Sequence, residues 1–277
     1  MLRALILLCL LVPGLARAQA LETRRLADGR SYLFAAPKGV AHPPVILALH
    51  GGGGNPRQFA RSSGLVAPAL ARGYAVAFPA GSGRTRLLTW NAGHCCGYAA
   101  AQGIDDLGFL DAVVADLAAR DGAGPIFVTG MSNGAMMAAA FAATRPGTVR
   151  AGAWVAGTLD LSRYPPKAPV PVLHIHGDAD PRIPFDGGAG PKQLSPAVYP
   201  PVAEEAAAFA ARWPTSAPLR ERSGNLIRDI YRDRAGRPVV VTLRVVGGGH
   251  TWFGGRWARR QALSATQEVL DFFDAWR

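Results

Sequence analysis

The feature that most constrains the fold of this chain is a glycine–serine turn between two apolar segments. Residues 125–129 form a short run rich in strand-forming side chains, residues 130–134 read Gly-Met-Ser-Asn-Gly, and an Ala- and Met-rich run follows at once. This order predicts a strand, a sharp turn and a helix, with Ser132 at the apex of the turn. A serine in such a strained turn needs small neighbours, which Gly130 and Gly134 supply. The pattern therefore indicates a nucleophilic serine exposed above a sheet edge.

A serine hydroxyl is a poor nucleophile at neutral pH, so it needs a base, an orienting acid and an anion site. The candidate base is His250, because it lies late in the chain on a glycine loop that follows the β-rich run 239–246. The other five histidines lie earlier, in loops or strands, at His42, His50, His94, His174 and His176. The last two share one strand face, as a pair of metal ligands would, but the sequence offers no third ligand beside them. No metal is therefore expected.

The orienting carboxylate is expected where the apolar strand 172–176 runs out into a turn with two aspartates. Asp180 is favoured, because prolines at positions 181 and 184 stiffen the loop just beyond it. Asp178 is the first alternative, although aspartates in such turns usually bond backbone amides of the turn itself. Asp160, which follows the preceding strand, is a second alternative.

The anion site is expected at a run of four glycines, residues 51–54, which opens from the apolar strand 45–49. Glycines let the backbone approach a ligand and turn an N–H group toward it. The predicted oxyanion hole pairs the N–H of Asn133, directly after the nucleophile, with an N–H from this loop near Gly52. A phosphate-binding loop would need Lys-Ser or Lys-Thr at its end, and residues 55–57 read Asn-Pro-Arg instead.

The remaining sequence predicts one α/β domain over residues 21–277. Strands and helices alternate, which indicates a mostly parallel central sheet with helices on both faces. Asp106 is the predicted N-cap of the second helix. Residues 226–231 and 239–246, joined by a turn at 233–237, predict an antiparallel hairpin that delivers His250. The other predicted strands are 45–49, 74–78, 126–129, 151–156 and 172–176, and the predicted helices are 58–71, 107–120, 133–144, 203–212 and 264–276.

Residues 1–20 have the features of a secretory signal peptide. A positive start at Arg3 precedes a short apolar core, and Ala-x-Ala patterns end at positions 18 and 20. The apolar run is too short to span a bilayer, and no later segment reads as a membrane helix. Export leaves Cys95 and Cys96, for which a bond between neighbours and two packed thiols are both open.

The net charge of +11 is dominated by arginines that form no single run, and nucleic-acid binding is therefore not expected.

Four blocks together resemble a family of exported esterases that includes polyhydroxybutyrate depolymerases and feruloyl or acetylxylan esterases. They are Leu-His-Gly-Gly-Gly-Gly-Asn at 49–55, Trp-Asn-Ala-Gly-His-Cys-Cys-Gly at 90–97, Gly-Met-Ser-Asn-Gly-Ala-Met-Met at 130–137 and Gly-Gly-His-Thr-Trp at 248–252. The resemblance implies an α/β-hydrolase fold with Ser132 as nucleophile, Asp180 as orienting acid and His250 as base. It implies a small or polymeric ester as substrate and no cofactor.

Two tryptophans are candidate substrate contacts. Residues 89–97 are expected to form a wall of the acyl pocket, where Trp90 could stack on a ring of the substrate or close the core beneath the loop. The same two roles are open for Trp252, which stands two residues after His250. Two other classes remain as alternatives, a serine peptidase on the same fold and a non-catalytic polymer-binding protein. The sequence does not fix the oligomeric state.

Overall fold

The computed structural model describes residues 21–193, 195–256 and 263–277, so the predicted signal peptide lies outside the described residues. The described strands form one sheet in the order β1-β2-β4-β3-β5-β6-β7-β10-β9-β8. Six neighbouring strands, from β4 to β10 in that order, pair in parallel, and antiparallel strands extend both edges. The strands are β1 Glu22–Arg25, β2 Ser31–Ala35, β3 Val45–Leu49, β4 Ala75–Pro79, β5 Ile126–Met131, β6 Val149–Val155, β7 Val172–Gly177, β8 Leu219–Ser223, β9 Leu226–Arg232 and β10 Pro238–Val245.

Helices cover both faces of this sheet. They are α1 Pro56–Ser63, α2 Val66–Ala71, α3 Gly97–Ala101, α4 Asp106–Asp121, α5 Asn133–Thr144, α6 Val202–Ala210 and α7 Ala265–Asp274. Side chains of α4, α5 and α6 pack into the core on one face, and those of α1, α2 and α7 pack into the core on the other. The strands β3, β4 and β7 are buried along their whole length, in keeping with the apolar sequences of β3 and β4, while β7 also carries the buried His174 and His176. The predicted α/β-hydrolase architecture is confirmed.

The structure corrects the sequence-based elements at several points. The single helix predicted at 58–71 is two helices, because Gly64 ends the first one in a left-handed conformation with φ of 66°. The predicted N-cap, Asp106, is wrong by one residue: Asp105 caps α4 by accepting the Gly108 N–H at 2.9 Å. Asp106 is buried instead, where it accepts the Asn91 N–H at 2.8 Å. The strands β1, β2 and β8 and the short helix α3 were not predicted.

The candidate residues share one edge of the sheet. The glycine run follows β3, Ser132 follows β5, Asp180 follows β7 and His250 follows β10. These are carboxyl ends of parallel strands, where α/β proteins place their ligands. The predicted hairpin of β9 and β10 forms in antiparallel register. None of the helices in the described ranges has both the length and the apolar character needed to cross a membrane.

Candidate active site

Ser132 sits in a backbone conformation that few side chains adopt, with φ of 57° and ψ of −125°. The turn is possible because its two glycines lack side chains. A Cβ at Gly130 would collide with the carbonyl of Gly134, and a Cβ at Gly134 would collide with the carbonyl of Leu49. The serine hydroxyl is consequently held at the tip of the turn between β5 and α5, as the sequence pattern predicts.

The structure brings Ser132, His250 and Asp180 into one line of hydrogen bonds. The Nε2 atom of His250 lies 2.9 Å from the serine Oγ, and its Nδ1 atom lies 2.7 Å from Oδ2 of Asp180. A carboxylate only accepts hydrogen bonds, so Nδ1 carries the hydrogen and Nε2 is left to accept the serine proton.

Asp180 is held on both of its oxygens. Its Oδ1 accepts the backbone N–H groups of Arg182 at 2.8 Å and of Ile183 at 3.0 Å. Burial by itself would raise the pKa of this carboxyl. Hydrogen bonds from His176, His250 and the Ile183 N–H outweigh burial and hold the pKa of Asp180 well below its ordinary range. The carboxylate is therefore ionised at neutral pH and fixed in direction.

The two alternative acids bond elsewhere. Asp178 pairs with the Arg244 guanidinium at 2.8 Å and accepts the Gly247 N–H at 2.6 Å, so it ties the β7 turn to the segment after β10 rather than capping its own turn. Asp160 accepts the Ser162 N–H and hydroxyl in a local turn. Among the described residues, neither carboxylate is hydrogen-bonded to His250.

The two predicted oxyanion donors are neighbours. A Cβ built on Gly52 would lie 3.4 Å from the Cβ of Asn133, in ordinary contact. The N–H of Asn133 belongs to the first residue of α5 and has no acceptor within the helix. Within the glycine turn, the Gly53 N–H donates to the Leu88 carbonyl and the Gly54 N–H donates to the Gly51 carbonyl, both at 2.9 Å. Among the described residues, the Gly52 N–H donates to no backbone carbonyl.

His50 fixes this glycine turn, a role that the sequence analysis did not assign. Its Nδ1 atom lies 2.9 Å from the Gly51 carbonyl, to which it must donate, and its Nε2 atom accepts the Gly81 N–H at 3.1 Å. The bond from Gly81 requires the neutral ring, because a protonated Nε2 cannot accept. Burial lowers the pKa of His50 to about 4, so the ring stays neutral at physiological pH.

Of the two roles left open for Trp90, its burial favours the core residue over the substrate contact. Its side chain is 0% exposed, and its indole N–H donates to the His50 carbonyl at 2.9 Å. Its backbone is held by the Asn133 side chain, whose Oδ1 accepts the Trp90 N–H at 2.7 Å and whose Nδ2 donates to the Trp90 carbonyl at 3.0 Å. The tryptophan therefore closes the core beneath the loop and anchors it to the start of α5.

Trp252 is also buried, which favours the core role for it as well. Only 4% of the residue is exposed, and its indole N–H donates to the Thr266 hydroxyl at 2.9 Å. Its ring packs edge-on against Phe59 with a centroid distance of 5.3 Å. It supports the segment that carries His250 from below, in the core between the sheet and α7.

Ser132 lines two pockets. The first, of about 250 Å³, contains His250 and polar side chains, among them Gln58 and Ser62. The second, of about 130 Å³, lies against Asn133 and is mostly apolar. Gly52, Gly53, Ser132 and Arg182 line both. The wall of the apolar pocket is formed by Thr89, Cys95, Cys96, Gly97, Met136, Ile183 and Tyr199.

Part of the predicted acyl-pocket wall is therefore present, at residues 89 and 95–97. Cys95 and Cys96, for which the sequence left two states open, both line this wall, where their sulfur atoms adjoin each other.

The histidine pair on β7 does not form the arrangement of a metal site. The four ring nitrogens of His174 and His176 face Glu205, each other and the Ile183 carbonyl, at 2.9–3.0 Å. Within the described ranges, no group of three or more His, Cys, Asp or Glu side chains is arranged to hold a metal ion.

Comparison with known proteins places this site in a family. No protein-family model matches the chain. "Putative esterase NocK" of Nocardia uniformis subsp. tsuyamanensis is 35% identical over 269 residues, which cover 88% of this chain and 77% of that protein. The chain belongs to the family of esterase-like α/β-hydrolases that this relative represents, and its members are carboxylic ester hydrolases.

Solved structures support the same fold at low sequence identity. The acetyl xylan esterase from Aspergillus awamori superposes with a TM-score of 0.64 at 16% identity, covering 92% of this chain and 99% of that one. Esterase PE8 superposes with a TM-score of 0.58 at 18% identity, covering 88% and 97%.

Proposed function

We propose that this chain is an exported serine esterase that hydrolyses carboxylic esters through Ser132, His250 and Asp180. The observation that carries the proposal is the line of hydrogen bonds from the Ser132 hydroxyl through His250 to Asp180, at 2.9 and 2.7 Å. This line lies beside two N–H groups available to an anion. Membership of the esterase family supports the same reaction class.

The proposed reaction has two steps. Ser132 attacks the ester carbonyl while Nε2 of His250 accepts its proton, and Asp180 stabilises the imidazolium that forms. The N–H groups of Asn133 and Gly52 bind the oxyanion, where one such donor is worth about 3 kcal/mol in comparable enzymes. His250 then protonates the leaving alcohol, and water activated by the same histidine releases the acid from Ser132.

The two pockets divide the substrate between them. The leaving alcohol must receive its proton from His250, so it occupies the larger, polar pocket that this histidine lines. The acyl group occupies the smaller pocket, which contains Asn133 and lacks His250. This assignment predicts a polar alcohol, such as a sugar or a hydroxy acid, and an apolar acyl group.

The size of the acyl pocket favours a short acyl chain. At about 130 Å³ it is slightly smaller than an engineered protein cavity of roughly 150 Å³ that accepts benzene. Acetyl and hydroxybutyryl groups fit within such a volume, whereas a feruloyl group carries a substituted aromatic ring and a propenoyl arm. Of the substrates that the sequence resemblance implies, short-chain acetyl and hydroxyalkanoate esters are therefore the proposed ones.

Export is proposed from the sequence of residues 1–20. The positive start, short apolar core and Ala-x-Ala patterns are those of a cleaved signal peptide. Mass spectrometry of the mature N-terminus, after expression in a bacterium with a functional export system, tests this part. A chain that kept its first 20 residues in the cell extract would contradict it.

Labelling and substrate profiling test the function. A fluorophosphonate should label the wild-type protein at Ser132 and leave the Ser132→Ala variant unlabelled. On p-nitrophenyl esters, kcat/KM should be highest for acetate to butyrate and should fall at least about tenfold for long chains, with methyl ferulate poorer still. Matched ester and amide substrates separate an esterase from the peptidase alternative. Absence of labelling would favour the non-catalytic alternative, and faster amide than ester cleavage would favour the peptidase.

A further inference from the structure

Three buried side chains next to the candidate active site form a second line of hydrogen bonds. His174 and His176 lie on the same face of β7, and Glu205 reaches them from α6. Glu205 Oε1 lies 3.0 Å from His174 Nδ1, His174 Nε2 lies 2.9 Å from His176 Nδ1, and His176 Nε2 lies 2.9 Å from the Ile183 carbonyl. Glu205, His174 and His176 are 1%, 3% and 0% exposed, so water does not supply their partners.

Counting hydrogens along this line fixes its charge. The Ile183 carbonyl only accepts, so His176 must donate to it from Nε2. Each of the three hydrogen bonds needs one hydrogen, and two neutral imidazoles carry only two between them. A third proton must therefore reside on Glu205, His174 or His176. With that proton the group has no net charge, which is the state that burial favours.

The surroundings of Glu205 place the third proton on a histidine. Its Oε1 accepts the Trp154 indole N–H at 2.8 Å, and its Oε2 accepts the Leu159 N–H at 2.5 Å. Both donors stabilise the carboxylate form of Glu205. His174 contacts the Glu205 carboxylate at 3.0 Å, whereas the carboxylate near His176, that of Asp180, is already paired with His250 at 2.7 Å. His174 is therefore the ring to which we assign the charge.

This line ends at the loop that holds Asp180. The Nε2 atom of His176 lies 3.4 Å from Oδ2 of Asp180, the oxygen that faces His250. The same Nε2–H bonds the Ile183 carbonyl, while the Ile183 N–H bonds Oδ1 of Asp180. His176 therefore acts on the carboxylate directly and through the residue that anchors it.

We propose that Glu205, His174 and His176 are positioning residues that share one buried proton and hold Asp180 in line with His250. This inference rests on the proposed function, because it assigns a task to the Asp180 carboxylate in that reaction. His176 keeps its ring orientation only while His174 donates to its Nδ1 atom, and His174 donates there only while Glu205 balances its charge. The effect on the reaction is exerted through Asp180 and not by contact with substrate.

Other titratable groups face this line from neighbouring elements. His94, from the loop before α3, interacts electrostatically with Glu205 and lies 3.7 Å from Asp160. Asp180 faces His176 from the turn after β7. Burial lowers the pKa of His94, so at pH 7.5 it adds no charge that competes with His174. Measurements at this pH therefore report the shared proton.

The first test reads the proton itself and does not depend on activity. Two-bond ¹H–¹⁵N spectra of protein labelled at histidine, recorded at pH 7.5, should show both ring nitrogens of His174 protonated and only Nε2 of His176 protonated. The Glu205→Gln variant should convert His174 to a neutral ring. A neutral His174 in the wild-type protein would overturn the proposal.

The second test separates positioning from general support of the fold. His176→Leu should lower kcat by about 10- to 100-fold with KM changed less than twofold, because the loss falls on Asp180 and not on substrate contacts. His176→Gln, which keeps an N–H donor for Ile183, should recover most of kcat. Tyr74→Phe is the matched control: it removes the hydrogen bond from a buried side chain to Asp274, at the amino end of β4, whereas Asp180 lies beyond the carboxyl end of β7.

The outcomes are distinct. A kcat for His176→Leu within twofold of the Tyr74→Phe value, or a loss confined to KM, would overturn the positioning role. If His176→Leu does not fold, the histidine spectra and the kcat of His176→Gln still test the positioning role. Fluorophosphonate labelling of the wild-type protein reports separately on the proposed function, so failure of one idea is distinguishable from failure of the other.

Discussion

Replacing Asp180 by asparagine tests the candidate site at the atom on which its chemistry most depends. The carboxylate accepts backbone N–H groups of Arg182 and Ile183 on Oδ1 and the His250 ring on Oδ2. Asparagine has one oxygen and one NH₂ group. The oxygen keeps the two backbone donors, so the NH₂ group must face Nδ1 of His250 across the 2.7 Å contact.

The expected loss of kcat follows from the replacement of an acceptor by a donor at Nδ1 of His250. An NH₂ group can only donate to Nδ1, which moves the ring hydrogen to Nε2 and directs it at the Ser132 hydroxyl. His250 then cannot accept the serine proton. The same exchange in a well-studied serine protease lowers kcat about 10⁴-fold, or about 5 kcal/mol of transition-state stabilisation. A similar loss is expected here, with KM little changed because both backbone bonds remain. The melting temperature should fall, because the NH₂ group also meets the Nε2–H of His176, which lies 3.4 Å from Oδ2 of Asp180.

Steady-state hydrolysis of p-nitrophenyl acetate measures kcat, and two neighbouring aspartates serve as controls. Asp178→Asn keeps an acceptor for Gly247 and loses only its partly exposed ion pair with Arg244, so it should retain kcat within about tenfold and lose at most about 1 kcal/mol of stability. Asp160→Asn should also retain kcat. A larger loss of kcat in Asp178→Asn than in Asp180→Asn would refute this reasoning and move the acid to the other carboxylate.

Four further outcomes are expected. Ser132→Ala should lose several orders of magnitude in kcat with an unchanged melting temperature, and a variant that kept more than a few per cent would contradict its role. The wild-type kcat/KM should fall toward acid, because His250 must be neutral to accept the serine proton. EDTA should not alter the curve, and a rate that rose toward acid would rule out this base. Burial lowers the pKa of His50 to about 4, so below about pH 6.5 the unfolded chain binds a proton there that the folded chain excludes. The free energy of unfolding, measured in urea, should therefore fall as the pH is lowered from about 6.5 to 4. The fall should be less steep in the His50→Gln variant. Trp90→Phe should lose about 1–3 kcal/mol of stability through its missing bond to the His50 carbonyl without raising KM; a raised KM would return this ring to the substrate pocket.

The sequence predicted those parts of the fold that local patterns encode. Apolar runs such as β3 and β7 are buried on both faces, so their strand signal is continuous and strong. The edge strand β8, Leu219–Ser223, is exposed along its whole length and carries charged side chains, so it has no apolar signal to detect. The break at Gly64 was missed because the apolar spacing on both sides of it fits one helix.

The same limit applies to the candidate site. Chain order after strands was enough to select Ser132, Asp180 and His250, because parallel strands bring their carboxyl ends to one edge. The burial of Trp90 could not be read from its neighbours, since it depends on contacts with His50 and Asn133 that are distant in sequence. A signal for His50 was present, because a histidine stands directly before the four glycines, but its partners at Gly51 and Gly81 required the fold.

The two hydrogen bonds between the Asn133 side chain and Trp90 have a consequence for altering selectivity. Asn133, whose N–H we propose as an oxyanion donor, also holds by its side-chain amide the loop that begins the wall of the proposed acyl pocket. Any insertion or deletion in this loop that shifts Trp90 therefore also displaces Asn133, the first residue of α5. Enlarging the pocket by remodelling this loop is expected to reduce turnover for every ester, including those already accepted. Substitution of Met136 or Tyr199, which line the same pocket from other elements, offers a route to larger acyl groups that leaves this connection intact.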